Sequence, residues 1–73
     1  MKTIFIHGNA NYITLGQLLK RAGVIGTGGQ AKFFLKNTAV WVNGTAETRR
    51  GKKLHEGDRI KIDGAGEFLI ARS

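Results

Sequence analysis

Hydrophobic and polar positions recur with a definite period along most of the chain, and the period changes as it runs. Lys2-Thr3-Ile4-Phe5-Ile6-His7 is rich in β-branched and aromatic residues and predicts a short strand. Gly8-Asn9-Ala10-Asn11 breaks it. Leu15, Leu18, Leu19 and Ala22 then recur at i, i+3, i+4 and i+7, the spacing of one buried helical face. Thr14 and Gln17 have the spacing of a capping box at its start, and Gly23 suits its C-terminal cap. Gly16 weakens this helix by roughly 1 kcal/mol against Ala, so packing must carry it. Gln17, Lys20 and Arg21 fall outside the stripe. Val24-Ile25 is an apolar link between helices, and Gly26-Thr27-Gly28-Gly29 a turn. A second helix is predicted over Gln30 to Asn37, with Thr27 or Gly28 as its cap. Ala31, Phe34 and Leu35 form its buried face, with Lys32 and Lys36 on another.

From residue 39 the period shortens to two. Val40 and Val42 face one side, while Ala39, Trp41 and Asn43 face the other. Asn43-Gly44 supplies the φ > 0 residues of a tight hairpin turn, and Thr45 to Thr48 can pair back as a weaker strand. Leu54 anchors the chain, and His55-Glu56-Gly57-Asp58 turns it, with Asp58 capping the Gly57 turn. Arg59-Ile60-Lys61-Ile62 alternates as a strand. After a turn at Asp63-Gly64-Ala65-Gly66, Glu67 to Ala71 forms the last strand, beside the N-terminal one. The order is a strand, two helices, then three or four short strands, which predicts an α+β fold. No repeat, low-complexity tract or Pro interrupts it.

A length of 73 residues predicts one small domain, and 41% hydrophobic residues can supply its core. The chain has no Cys, which excludes a disulfide framework and a Cys-based zinc site. His7 and His55 stand far apart without ligand spacing, so neither metal nor cofactor is expected. No apolar run is long enough to span a bilayer, and Met1 to Ile6 is too short for a signal segment, so a cytoplasmic protein without a membrane partner is expected.

Charge changes the picture most. The net charge is +7 and the sequence pI about 10.4, which meets the electrostatic criterion for nucleic-acid binding. Residues 1–46 carry five cations (Lys2, Lys20, Arg21, Lys32, Lys36) and no acid, and residues 47–73 carry seven cations and all five acids. Arg49, Arg50, Lys52 and Lys53 place four cations within five residues. A cluster so dense repels itself and suits a partner rich in phosphate, although a solvated loop is the plain alternative. Gly51 would let the backbone turn so that several cations face one phosphate track. Gly26 to Gly29 lacks the Lys-Ser/Thr ending of a nucleotide-binding P-loop. No nucleophile–base pair, carboxylate pair or metal cluster meets the requirements of an active site, so neither enzymatic activity nor a small-molecule substrate is expected.

Ile13 to Ile62 resembles an S4 domain, the RNA-binding module of a ribosomal small-subunit protein, pseudouridine synthases and tyrosyl-tRNA synthetases. The resemblance rests on Ala31, Phe34, Leu35, the Val40-Trp41-Val42-Asn43-Gly44 strand and turn, and Gly57-Asp58. It implies two packed helices followed by a small twisted sheet. Thr27-Gly28 replaces the family's usual Ser-Arg, and Thr38 stands where Gly is common. These departures, with Gly29-Gln30-Ala31-Lys32 and Glu47-Thr48-Arg49-Arg50, look most like the short stand-alone S4 proteins of bacteria, the YaaA/YbcJ type. The resemblance implies binding to structured RNA, ribosomal RNA or a ribosome precursor above all; separately, a monomer is expected. Arg49, Arg50, Lys52 and Lys53 become the leading RNA contacts. Lys20, Arg21, Lys32 and Lys36 form a second set, with Gly28 and Gly29 leaving the N–H groups of the second helix open to phosphate. Gln30 and Asn43 are further candidates, Asn43 being a turn residue first. Trp41 either stacks on an unpaired base or covers the outer sheet face. The rival to RNA is an acidic protein, with the chain as an adaptor.

Overall fold

Alternation along the strands sorts apolar side chains to one face of a five-stranded sheet, and two helices cover that face. The computed structural model describes all 73 residues, Met1–Ser73. In chain order the elements are β1 (Lys2–Ile6), β2 (Ile13–Thr14), α1 (Leu15–Arg21), α2 (Gln30–Asn37), β3 (Val40–Val42), β4 (Thr45–Ala46), β5 (Lys53–Leu54), β6 (Arg59–Ile62) and β7 (Gly66–Arg72). The sheet runs β1-β7-β6-β3-β4, and β2 pairs with β5 in a separate two-stranded ladder. Only β1–β7 is parallel. The α+β, mainly antiparallel architecture and the neighbouring terminal strands agree with the sequence reading.

Register builds the core. Val40 lies opposite Ile62 and Val42 opposite Ile60, while Ile60 lies opposite Phe68 and Ile4 opposite Ile70. These cross-strand pairs give one continuous apolar surface. Leu15, Leu18 and Leu19 of α1 and Ala31 and Leu35 of α2 pack onto it in a single cluster of 15 buried residues. None of those 15 is polar, so desolvation of charge does not enter its energetics. Ala22, Val24, Ile4 and Phe34 pack on its margin.

The helix ends follow from side-chain chemistry. At α1 the Gln17 N–H donates to Thr14 Oγ1 at 3.2 Å, and the Thr14 N–H donates to Gln17 Oε1 at 2.8 Å, completing the capping box. At its C-terminal end the Gly23 N–H donates to the Lys20 carbonyl and the Val24 N–H to the Leu19 carbonyl, with Gly23 at φ +78. This Schellman arrangement drives Val24 back onto the core. Asn43 at φ 51 and Gly44 at φ +83 form the two-residue turn of the β3–β4 hairpin.

Several local expectations change. Neither Thr27 nor Gly28 caps α2. Gly29 occupies the cap without a side-chain bond, and Gln30 reaches back so that its Oε1 accepts from the Gly26 N–H at 2.6 Å and the Thr27 N–H at 3.2 Å. The return strand stops at Ala46 rather than Thr48, because Glu47 turns its carboxylate onto the Thr48 and Arg49 N–H groups. Thr38 takes φ −134, an extended conformation that makes no demand for glycine. No helix is long and apolar enough to cross a membrane.

Leu19 and Leu35 are 0% and 3% exposed. Truncating either to Ala is expected to cost about 2–5 kcal/mol in urea melts. A loss below about 0.5 kcal/mol would place that residue outside the core.

Candidate nucleic-acid interface

A helix begins with N–H groups that have no intrahelical partner. In α1 the capping box takes care of Thr14 and Gln17, which leaves Leu15 and Gly16. The Leu15 N–H donates to the Lys52 carbonyl and the Gly16 N–H to the Arg50 carbonyl, each at 2.8 Å. The backbone of the basic cluster is therefore docked on the first turn of α1. The β2–β5 ladder, Ile13 opposite Leu54 and Thr14 opposite Lys53, holds the same loop from its other end. Gly16 sits at this contact: a Cβ there would lie in ordinary contact, 3.4 Å from the Arg50 carbonyl oxygen and 3.7 Å from the Ala31 Cβ, and a bulkier side chain would crowd the loop. Gly51 plays a lesser part than its position suggests. Its φ is not in the left-handed region, and a Cβ on it would meet nothing within 4 Å.

Docking brings three separate parts of the chain together. Lys20, Arg50, Gly16, Gly28 and Gly51 line one hollow between the starts of both helices and the loop. Two cations thus flank a space to which three glycines, Ala31, Thr14 and Gln17 supply the rest of the wall. Lys52, Lys53 and Asn43 border a second hollow with Glu47, His55 and Asp58. Lys53 Nζ stands 4.9 Å from the centre of the Tyr12 ring, which positions that ammonium by a cation–π contact.

The four clustered cations are not equivalent. Arg49 grips Glu47 as a fork, Nε to Oε2 at 3.0 Å and Nη2 to Oε1 at 3.1 Å, with its N–H also on Oε2. The Glu47 side chain is 12% exposed and that of Arg49 73%, so the carboxylate is the anchored partner. The Arg49 hydrogen bond holds the Glu47 carboxyl at about 2, below its ordinary 4.5. Arg50, Lys52 and Lys53 form no ion pair and carry the unopposed charge.

The remaining candidates are dispersed. Arg21 Nη1 donates to the Phe5 carbonyl at 2.6 Å and ties the end of α1 to β1. Lys32 and Lys36 are exposed on α2. The N-terminus of α2 is less open than expected, because the Gln30 and Ala31 N–H groups donate to the carbonyls of Thr27 and Gly28. A Cβ on Gly29 would meet only the Thr27 hydroxyl, at 3.9 Å. Asn43 donates to Asp58 Oδ1 at 3.0 Å and accepts from the Arg59 N–H at 2.9 Å, which fastens the hairpin turn to the Gly57 turn. Asp58 also accepts from the His55 N–H at 2.8 Å, as a turn cap. Sequence reasoning missed Gly16, Glu47 and Tyr12. A glycine inside a predicted helix and an acid two residues before Arg49 were the available signals for the first two.

The model of the S4 domain matches residues 6–70. A Bacillus subtilis (strain 168) protein described as "probable ribosome maturation protein RlbA" is 52% identical over 58 residues, covering 80% of this chain and 82% of that one.

Because the Glu47 carboxyl is depressed in the fold, its contribution is present above about 4.5 and is lost as pH falls toward about 2. Glu47→Gln lacks that contribution. Its stability deficit against the parent is expected to shrink across this window in urea melts; a deficit unchanged by pH would contradict the fork.

Proposed function

The chain belongs to the S4 domain family, and from that premise we propose that it is a non-catalytic RNA-binding protein acting on structured ribosomal RNA or a ribosome precursor. One observation carries this reading. Arg50, Lys52 and Lys53 stand without ion pairs on a segment that the first turn of α1 holds in place, and Arg50 shares a hollow with Lys20. Cations prearranged in this way suit a track of phosphates, and released counterions supply the affinity. A relative described as a ribosome maturation protein supports a ribosomal target and hence a cytoplasmic place of action. In this reading the protein works as a monomer. Gly28 and Gly29 leave room for the RNA backbone, and Lys32 and Lys36 extend the positive surface along α2. Arg49 contributes through its free edge, and the outer atoms of Gln30 and Asn43 lie at the margins. Arg21 acts mainly within the fold.

The test is affinity for ribosomal RNA fragments as a function of salt. Each phosphate contact removed flattens the log–log plot by roughly 0.7–0.9. Changing Arg50 and Lys53 together to Ala is expected to weaken binding and flatten the slope by about 1.4–1.8. Changing Lys32 and Lys36 together is expected to do less. A larger effect from the helix pair would move the interface onto α2, and affinity indifferent to salt would reject phosphate recognition. Tight binding to an acidic protein, with none to RNA, would favour an adaptor.

A further inference from the structure

The sheet has two faces, and the helices cover only one. Strand alternation sends Trp41, Arg59, Lys61 and Glu67 to the other. Trp41 lies opposite Lys61, and Lys61 opposite Glu67, so the three form one cross-strand row. Lys61 Nζ stands 5.6 Å from the centre of the indole. Beside this row is a shallow hollow of about 380 Å³, lined by Trp41, Asn43, Gly44, Arg59, Lys61 and Glu67. That volume is near the lower end of small-ligand clefts, about 300–1,000 Å³, which suits one flat ring system rather than a folded segment.

We propose that this hollow takes one unpaired nucleobase, stacked on Trp41 in place of the Lys61 ammonium, with Arg59 and the displaced Lys61 meeting the adjoining phosphates. The inference rests on the RNA-binding reading and adds to it a second contact, on single-stranded RNA. The chemistry is that of a stacking platform. An aromatic face accepts any base, and cations on flexible stems take the backbone. The Glu67 side chain forms no ion pair or hydrogen bond, so its free carboxylate repels phosphate from its end of the row. The backbone is thereby directed to the side of Arg59 and the hairpin tip. Continuity supports the same path. Asn43 lines this hollow and also the one holding Lys52 and Lys53. A strand leaving a structured RNA at the basic loop therefore crosses the Asn43-Gly44 turn and arrives at Trp41.

Trp41 is the one tryptophan of the chain, so indole emission reports on this site alone. The probes are a single-stranded RNA octamer of mixed sequence, an abasic oligomer with the same number of phosphates, and a blunt RNA hairpin. The octamer is expected to quench the emission to saturation, and the abasic oligomer to leave it unchanged. Trp41→Ala is expected to weaken octamer binding by about five- to 150-fold, with the salt slope and hairpin affinity unchanged. Trp41→Phe should restore most of the loss. Absence of quenching at saturating octamer, or a folded Trp41→Ala protein that binds the octamer as the parent does, overturns the proposal. Hairpin binding without octamer quenching would reject this site and leave the ribosomal reading standing. Quenching without hairpin binding would do the reverse.

Discussion

Two backbone hydrogen bonds organise this molecule: Leu15 N–H to the Lys52 carbonyl and Gly16 N–H to the Arg50 carbonyl. They solve two problems at once. The opening turn of α1 needs acceptors for its unpaired donors, and a loop of four cations in five residues needs something to hold it against its own repulsion. Main-chain carbonyls meet the first need without using the cationic side chains. The first turn of α1 contains no acid. No carboxylate at the helix start therefore offsets the loop's cations. The only carboxylate built into the cluster is Glu47, and it is committed to Arg49.

Fold and site are joined through the same few residues. The buried face of α1 packs on the sheet through Leu15, Leu18 and Leu19, while its N-terminal end carries the loop. Gly16 lies where α1, α2 and the loop meet, with Arg50 on one side and Ala31 on the other. Leu54, fully buried beside Ile13, fixes the loop's exit to the core. Displacing the loop would thus disturb both the helix start and the β2–β5 ladder.

Local rules made much of this legible. The capping box at Thr14, the bounds of α2 and the Asn43-Gly44 turn each depend on residues a few positions apart, and period-two alternation placed Val40, Val42, Ile60 and Ile62 on one face. What escaped depends on contacts distant in sequence. β2 and β5 have two residues each, too few to show a period, and they exist because they pair across about forty positions. The docking of Arg50 on Gly16 spans a similar distance. The cap of α2 escaped for a different reason. Gln30 Oε1 reaches the Gly26 and Thr27 N–H groups at once, and the Thr27 hydroxyl makes no bond to the helix start. Trp41 was placed on the outer face, but the Lys61 ammonium over it and the hollow beside it follow from strand register, not from spacing along the chain.

We propose that geometry, and not net charge alone, fits the basic loop to RNA. A charge-neutral change at Gly16 tests it most directly. Gly16→Ala adds a Cβ in ordinary contact, 3.4 Å from the Arg50 oxygen, and should bind ribosomal RNA much as the parent does. Gly16→Val adds two further methyl groups at that meeting point. It should displace the loop, speed hydrogen exchange of the Leu15 amide, and flatten the salt dependence by roughly 0.7–0.9 for each phosphate the loop no longer reaches, with the net charge still +7. A folded Gly16→Val protein whose Leu15 amide exchanges quickly, yet which binds RNA with the parent's affinity and salt slope, would contradict the account.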